Sequence, residues 1–432
     1  MACRFSRPAL GGFAVLLLSG LAIDGANAAA ISPDGSSAGL SFEQALALAS
    51  EQSPAVQAVE LERSGAEQDR ERAAQLPDPK LLLGLDNFPV GGGNAYSLDQ
   101  DFMTMRAVGL MQEMPNRAKR RARAERATAR VSELDASREA VLLATLRDTA
   151  VAWVERHSIE QQLGHLDELD RENQLFDAAV RAAFAGGKGS ATDLVLPREE
   201  AARIADRRDR LQAERAAAIA ALRRRIGAAA ERDLVGASPA YAVDAGQLHA
   251  ELHEHPNLKR FDARGAELDA EVREALAGKR PDWSLAFKYQ DRAERFGDMV
   301  SLELSIDLPL FGRHRQDPAI AAKRAERAAV DAEREALWRE HLQALETELA
   351  EYRRLDQAWQ RNREQWLPLA REKAALALAA YQGGSGTLAD LIAARRARIE
   401  TELEGIALAG QRAAAAAALH YISAAVPHPE YR

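Results

Sequence analysis

The sequence predicts a mainly α protein with a small β part, made of long antiparallel helical hairpins plus four short strands. Three observations predict this. The chain repeats itself: Phe184-Ala-Gly-Gly187-Lys-Gly-Ser190-Ala-Thr-Asp193-Leu194 is echoed 197 positions later by Tyr381-Gln-Gly-Gly384-Ser-Gly-Thr387-Leu-Ala-Asp390-Leu391. Long stretches rich in Ala, Arg, Glu and Leu carry almost no Gly or Pro, as helical rods require. Between these rods the apolar period switches from helical to two. A repeat of this size means two similar halves, and it sets the frame for every element.

Three more echoes keep the same order. Leu46…Pro54 answers to Leu248…Pro256, Pro77-Asp78 to Pro281-Asp282, and Met105…Pro115 to Met299…Pro309. The first half therefore runs over 29–240, with a leading helix, a β-hairpin at 80–114, a long helix at 116–185 and a return helix at 193–230. The second half runs over 241–426, with a leading helix, a hairpin at 283–309, a long helix at 318–380 and a return helix at 390–425. A short tail, 427–432, follows. Gly236-Ala-Ser-Pro239 reads as the linker between halves.

Each element has its reason. From 117 to 185 there is no proline and one glycine, Gly164. A continuous helix there would be about 100 Å long at ~1.5 Å per residue, a length found in coiled coils and helical repeats. In the matching stretch Leu342, Leu345, Leu349, Tyr352, Trp359 and Trp366 are spaced 3, 4, 3, 7 and 7, which keeps one seam facing a neighbour. Pro368 interrupts that rod and is expected to kink it.

In the second hairpin Trp283, Leu285, Phe287 and Tyr289 alternate with Ser284, Ala286, Lys288 and Gln290. Val300, Leu302, Leu304, Ile306 and Leu308 alternate with Ser301, Glu303, Ser305 and Asp307. These are strands with one apolar and one polar face. The first hairpin repeats the pattern less cleanly, and Gln112 stands where the other half has Ile306.

The first 28 residues look like a secretory signal. Arg4 and Arg7 precede an apolar run from Ala9 to Ile23, and Ala26-Asn27-Ala28 is a cleavage pattern, with Ala30 as a second candidate end. The one cysteine, Cys3, lies inside it, so the processed chain would hold no disulfide or thiolate metal site. Removal takes Lys+Arg from 57 to 55 and Asp+Glu from 65 to 64, so the net charge goes from −8 to −9. That balance argues against a nucleic-acid partner. No later stretch reaches the ~18 apolar residues of a spanning helix. The remaining ways to be exported are a soluble periplasmic protein or an outer-membrane barrel. Four strands cannot close a barrel, which needs about eight or more, and open edges are not tolerated in lipid. If the sheet sits in a membrane, several chains must pool their strands.

The order helix, hairpin, long helix, return helix, all twice, resembles the TolC-like outer-membrane efflux proteins over nearly the whole processed chain. The strand–helix junctions at Pro115 and Pro309 and the two Gly/hydroxyl/Asp-Leu tips carry the resemblance. It implies a homotrimer in the outer membrane of a Gram-negative bacterium. Three chains would give a 12-stranded barrel in outer-membrane lipid and a helical tunnel in the periplasm. It further implies an exit duct with no cofactor, partnered by a periplasmic adaptor and an inner-membrane pump. Phe184, Gly187, Ser190, Asp193, Gly384 and Thr387 would form adaptor-docking tips, and Tyr381 and Asp390 a periplasmic gate. Some relatives carry a second acidic residue three positions after the one matched by Asp390; here it is Ala393. The Gln-Glu-Met-Pro115 junction looks closest to the cation-efflux branch, of the cobalt-zinc-cadmium or copper type, which points to metal ions as cargo. Drug or organic-solute efflux is the alternative within the family. A soluble periplasmic coiled-coil adaptor is the alternative outside it.

The same tip residues also read as helix caps, since Ser, Thr and Asp favour N-caps and glycine with positive φ closes a helix. His249, His253 and His255 lie close together before Pro256, and His249 and His253 are spaced to share a helix face, yet no Cys or carboxylate triad completes a metal set near them, so a solvated helix end is expected for the group. Met103, Met105, Met111, Met114 and Met299 all fall in or beside the strands. They read as adaptable packing residues, with a soft-metal ladder as the other reading. No nucleophile–base pair or phosphate loop appears, so an enzyme is not expected and no catalytic or metal residue is assigned.

Overall fold

The computed structural model describes residues 39–187 and 189–422. The expected signal, Cys3, Lys188 and the tail at 427–432 lie outside the described residues.

Each half opens with a broken helix. Ser41 and Gln44 cap one another reciprocally at the start of α1 (Phe42–Gln52), with Ser41 N–H donating to Gln44 Oε1 at 3.1 Å. Ser53 then turns extended ahead of Pro54, because the proline ring disfavours a helical residue before it, and α2 (Pro54–Ala73) starts afresh. The second half breaks at the matching place. α5 (Ala245–Glu251) and a 3₁₀ turn, Leu252–Glu254, lead to an extended His255 before Pro256, which opens α6 (Pro256–Ala277).

After the first hairpin, β1 (Lys80–Asp86) and β2 (Met105–Met114), the rod α3 runs unbroken over Arg117–Ala185. The return helix expected over 193–230 is shorter. A 3₁₀ turn, Ala191–Leu194, precedes α4 (Leu196–Ile226), and a second 3₁₀ turn, Gly227–Glu231, follows it. Pro197 explains the late start. It has no N–H to bond the Asp193 carbonyl, so a helix begun at 193 would lose its ladder there.

The second hairpin is β3 (Trp283–Asp291) and β4 (Met299–Ile306). Its rod, expected over 318–380, is α7 (Gln316–Arg361) and α8 (Leu367–Gln382) joined by a π-helical turn, Asn362–Trp366. Pro368 would crowd the Glu364 carbonyl and cannot bond it, and the wider turn shifts the ladder around that gap. Buried Asn362 fills the turn and donates to the Thr401 carbonyl at 3.1 Å. The last helix, α9, spans Leu388–His420.

The rods form one curved layer. α3 packs between α4 and α9, and α7 packs on the far side of α9. A single cavity of about 930 Å³ is lined by all four, so the layer bends around it. Its walls combine small residues such as Ala217, Ala221, Ala407 and Ala415 with charged ones, Arg147, Glu214, Arg225 and Glu351 among them. Glu155 and Ile159 of α3 line this concave side. Trp153, about 200° round the helix from Glu155, is buried against the outer elements instead. There Phe42 meets it edge-on at 5.4 Å, and its indole N–H donates to the Leu40 carbonyl at 3.3 Å. Gly410 of α9 lets the rods touch: a Cβ there would lie 2.1 Å from Ser158 Oγ on α3.

Beside Trp153's cluster lies a fully buried cation. Arg156 donates to the carbonyls of Ala230 and Arg232, both at 2.7 Å, and to Glu160 at 2.8 Å. It thereby ties the end of the first return segment to α3.

Candidate functional site

The strands form one antiparallel sheet in the order β1-β2-β3-β4, with β1 and β4 at its open edges. Register places Leu83 opposite Val108, Val108 opposite Tyr289, and Tyr289 opposite Val300. The next row is Leu81, Leu110, Phe287 and Leu302. One face is thus a continuous, exposed apolar surface. From Trp283 to Tyr289 it spans about 20 Å at ~3.3 Å per residue, close to the ~25 Å apolar band of membrane barrels.

The other face is polar. Lys80 pairs with Glu113, Lys288 Nζ lies 3.3 Å from Glu303, and Gln290 donates to Asp86 at 3.2 Å. Gly109 faces this side, and a Cβ there would sit 2.9 Å from Lys288 Cγ, so the lysine stem crosses over it. Gln112, which broke the alternation, lies on the apolar face at its helix-side end, where its amide donates to the Pro77 carbonyl at 2.8 Å. Met105, Met111 and Met299 fall on the polar face by parity, while Met114 falls on the apolar one.

Pro115 and Pro309 end β2 and β4 differently. Asn116 caps α3 at once, its Oδ1 accepting the Lys119 N–H at 3.0 Å. The same junction is fastened to Asp282, which accepts from Asn116 N at 2.7 Å and from Lys119 Nζ at 2.8 Å. Burial pushes the Asp282 carboxyl up, but the hydrogen bonds from Lys119 and Asn116 outweigh it and hold the group below its ordinary range. After Pro309 the chain instead makes an exposed turn through Leu310 and Phe311, and α7 begins only at Gln316.

At the far end the two tips share a fold. Gly187 (φ 76°) and Gly384 (φ 73°) adopt the left-handed conformation that closes a helix. In the second tip Thr387 and Asp390 form a reciprocal capping box at the start of α9, with Thr387 Oγ1 donating to Asp390 at 2.6 Å and Asp390 N–H donating back at 3.1 Å. The Thr387 hydroxyl and N–H hold the exposed Asp390 carboxyl below its ordinary range. In the first tip Asp193 accepts from Ser190 N at 2.7 Å, but this caps the 3₁₀ turn rather than α4. The tips pack on each other: Val180 of α3 is buried with Leu388, Leu391 and Ile392 of α9, and Tyr381 packs partly buried against them. Phe184 is exposed.

The histidines do not converge. His249 Nε2 lies 2.7 Å from Glu346, His253 stacks on Trp338 with centroids 4.1 Å apart, and His255 packs at a 36° tilt against His341 at 4.3 Å. The expected solvated end is corrected for His255, which is buried. Its Nδ1 accepts the Asn257 N–H at 3.1 Å, and burial, reinforced by His341, pushes its pKa down to about 4. Among the described residues no three His, Cys, Asp or Glu side chains gather to hold a metal. Sequence reasoning missed Arg156, Gly405 and Gly410. An isolated glycine in an Ala-rich helix was the available signal for the last two.

No protein-family model matches the chain, and no curated protein matches it. Solved structures do. A membrane protein from Pseudomonas aeruginosa superposes with a TM-score of 0.75 at 17% identity, over 88% of this chain and 89% of that one. CusC, described for its folding and transmembrane channel formation, gives 0.74 at 16% identity over 88% and 92%. The outer membrane protein VceC from Vibrio cholerae gives 0.73 at 17% over 88% and 95%. At these identities the likeness establishes the fold: this chain shares the mainly helical architecture with a small four-stranded sheet of these membrane proteins.

Proposed function

We propose that the chain is the outer-membrane exit duct of a tripartite efflux system, working as a homotrimer. The observation that carries this reading is the sheet, whose apolar outer face continues into open edges at β1 and β4. Such a sheet is stable in lipid only when other copies close it. Three curved layers of four helices would likewise close a tunnel, with the alanine-lined concave sides inward. Two hairpins joined by an amphipathic sheet do not suit an adaptor, which needs a single hairpin.

In this reading the tips at Gly187 and Gly384, with Phe184, Ser190, Asp193 and Thr387, meet a periplasmic adaptor that joins the duct to an inner-membrane pump. Asp390 and Tyr381 stand at the entrance. Held ionised by its cap, Asp390 in three copies would form an acidic ring that favours cations. That ring and the net charge support metal ions as cargo. The alanines interspersed among the charged residues of the concave wall favour the second reading, organic solutes.

Fractionation tests the duct: the protein should stay with outer membranes through carbonate washing, and its release would overturn the reading. For the gate, Asp390→Ala should lower cation-over-anion selectivity of the purified trimer in planar bilayers. Unchanged selectivity would remove Asp390 from that role.

A further inference from the structure

A cavity of about 360 Å³ lies between the first turns of α3 and the last turn of α6, immediately below the sheet. Leu276 and Ala277 form apolar wall, and Arg121, Arg273, Arg280 and Glu125 supply the charge. The balance is uneven. Glu125 takes hydrogen bonds from both Arg121 Nε (2.9 Å) and Arg273 Nε (2.8 Å), and among the described residues Arg280 has no carboxylate partner. Three guanidinium groups thus line a cavity that holds one carboxylate, shared by two of them, within a chain whose net charge is negative.

Its place is equally specific. Arg280 stands three residues before β3, and the α3 wall reaches no further than Glu125, about 12 Å below the start of the rod at ~1.5 Å per residue. Its α3 positions Ala118 and Glu125 are four heptads before Leu146 and Trp153. In a supercoiled rod they share a face with those residues, the face that carries the outer elements and not the concave one. Directly above, Met114 and Trp283 begin the apolar face of β2 and β3.

We propose that this cavity binds the phosphate of an anionic phospholipid in the periplasm-facing leaflet, with the acyl chains lying along the apolar face of β2 and β3. Guanidinium forks match phosphate oxygens, and the unpartnered Arg280 is the group that gains most from one. The apolar sheet continues the site into lipid, which free phosphate has no use for. The proposal rests on the membrane reading of the sheet.

Native mass spectrometry of the full-length trimer, released from detergent with phosphatidylglycerol or phosphatidylcholine, tests it. Wild type should retain phosphatidylglycerol preferentially. Arg280→Gln, and Arg121→Gln with Arg280→Gln, should lower that retention by roughly fivefold per arginine, the attraction of one cation for an anionic surface. Phosphatidylcholine retention should not change, and Arg315→Gln, at the other junction, should leave both unchanged. Equal retention of the two lipids by wild type, or undiminished phosphatidylglycerol on Arg280→Gln, would overturn the proposal. Displacement of the lipid by millimolar inorganic phosphate would assign the cavity to the free ion and overturn the lipid source. Failure of the membrane reading is distinct, because the protein would then wash off membranes before any lipid preference is measured.

Discussion

The two halves of this chain began as the same unit and now differ most where a rod meets its surroundings. In the first half α3 starts two residues after Pro115 and is fastened to Asp282, while Arg156 ties its middle to the end of the return segment. In the second half α7 starts seven residues after Pro309, breaks at a π turn, and carries at Arg353, 197 positions after Arg156, an exposed side chain. The first rod is held at two places, its start and its middle, and the second has room to adjust. The difference locates stiffness in one hairpin and compliance in the other.

The largest test of this contrast is Arg156→Ala, which strands the buried Ala230 carbonyl and the partly buried Arg232 carbonyl and should cost about 3 kcal/mol. Arg353→Ala should stay within about 0.5 kcal/mol, as exposed substitutions do. Thermal melts of the trimer followed by helical circular dichroism compare them, and equal losses would erase the asymmetry.

Gly410→Ala comes next. Its Cβ would overlap Ser158 Oγ, and overpacking of this kind costs roughly 1–3 kcal/mol. Adding Ser158→Gly should restore much of the melting temperature, and absence of rescue would show that the close approach of the rods is not the cause.

The junctions give the third test. Asp282→Ala should cost roughly 1–3 kcal/mol by leaving Asn116 and Lys119 without their acceptor, whereas Asp78→Ala, its echo, should change little. Because the Asp282 carboxyl titrates below its ordinary value of 3.8, its stabilisation is present above that pH and fades as the pH falls further. The gap between wild type and Asp282→Ala should therefore be full near neutrality and narrow only in strong acid. A gap that widens on acidification would contradict this assignment.

The smallest effect is expected at the tips. Thr387→Ala removes the hydroxyl that caps α9 and should cost about 1 kcal/mol locally, and Ser190→Ala should cost less, because the first tip's box closes only a 3₁₀ turn. Amide hydrogen exchange at the two tips would rank them, with greater loosening at 190 than at 387 reversing the order.

Much of this was legible in the sequence because it rests on local chemistry. Alternation placed the strands, proline-free length placed α3, and paired glycines placed both tips. Gln112 stood out as an exception, and its bond to Pro77 explains why a polar residue is tolerated there. What stayed hidden depends on groups distant in sequence. Gly410 is informative only once Ser158 lies opposite, and Arg156 reads as one of many arginines until Ala230 and Arg232 close over it. Pro368 announced an interruption, but the π turn needed Asn362 and the space left by Gly405. Among the histidines only His255 departs from the expected solvated end, because His341, distant in sequence, packs against it.

The central claim is that the sheet is completed by other copies of the chain, and cysteine pairing across its edges tests that most directly. Cys3 is the only native cysteine and falls within the expected signal, so introduced thiols report cleanly. Leu81, Leu83 and Leu85 of β1 would each be replaced by cysteine in combination with Leu302→Cys of β4, and membranes oxidised before denaturing electrophoresis. At least one pair should yield a covalently closed species of three chains. If every pair gives only uncrosslinked chains in protein that remains folded in the outer membrane, the edges do not meet and the trimeric barrel is contradicted.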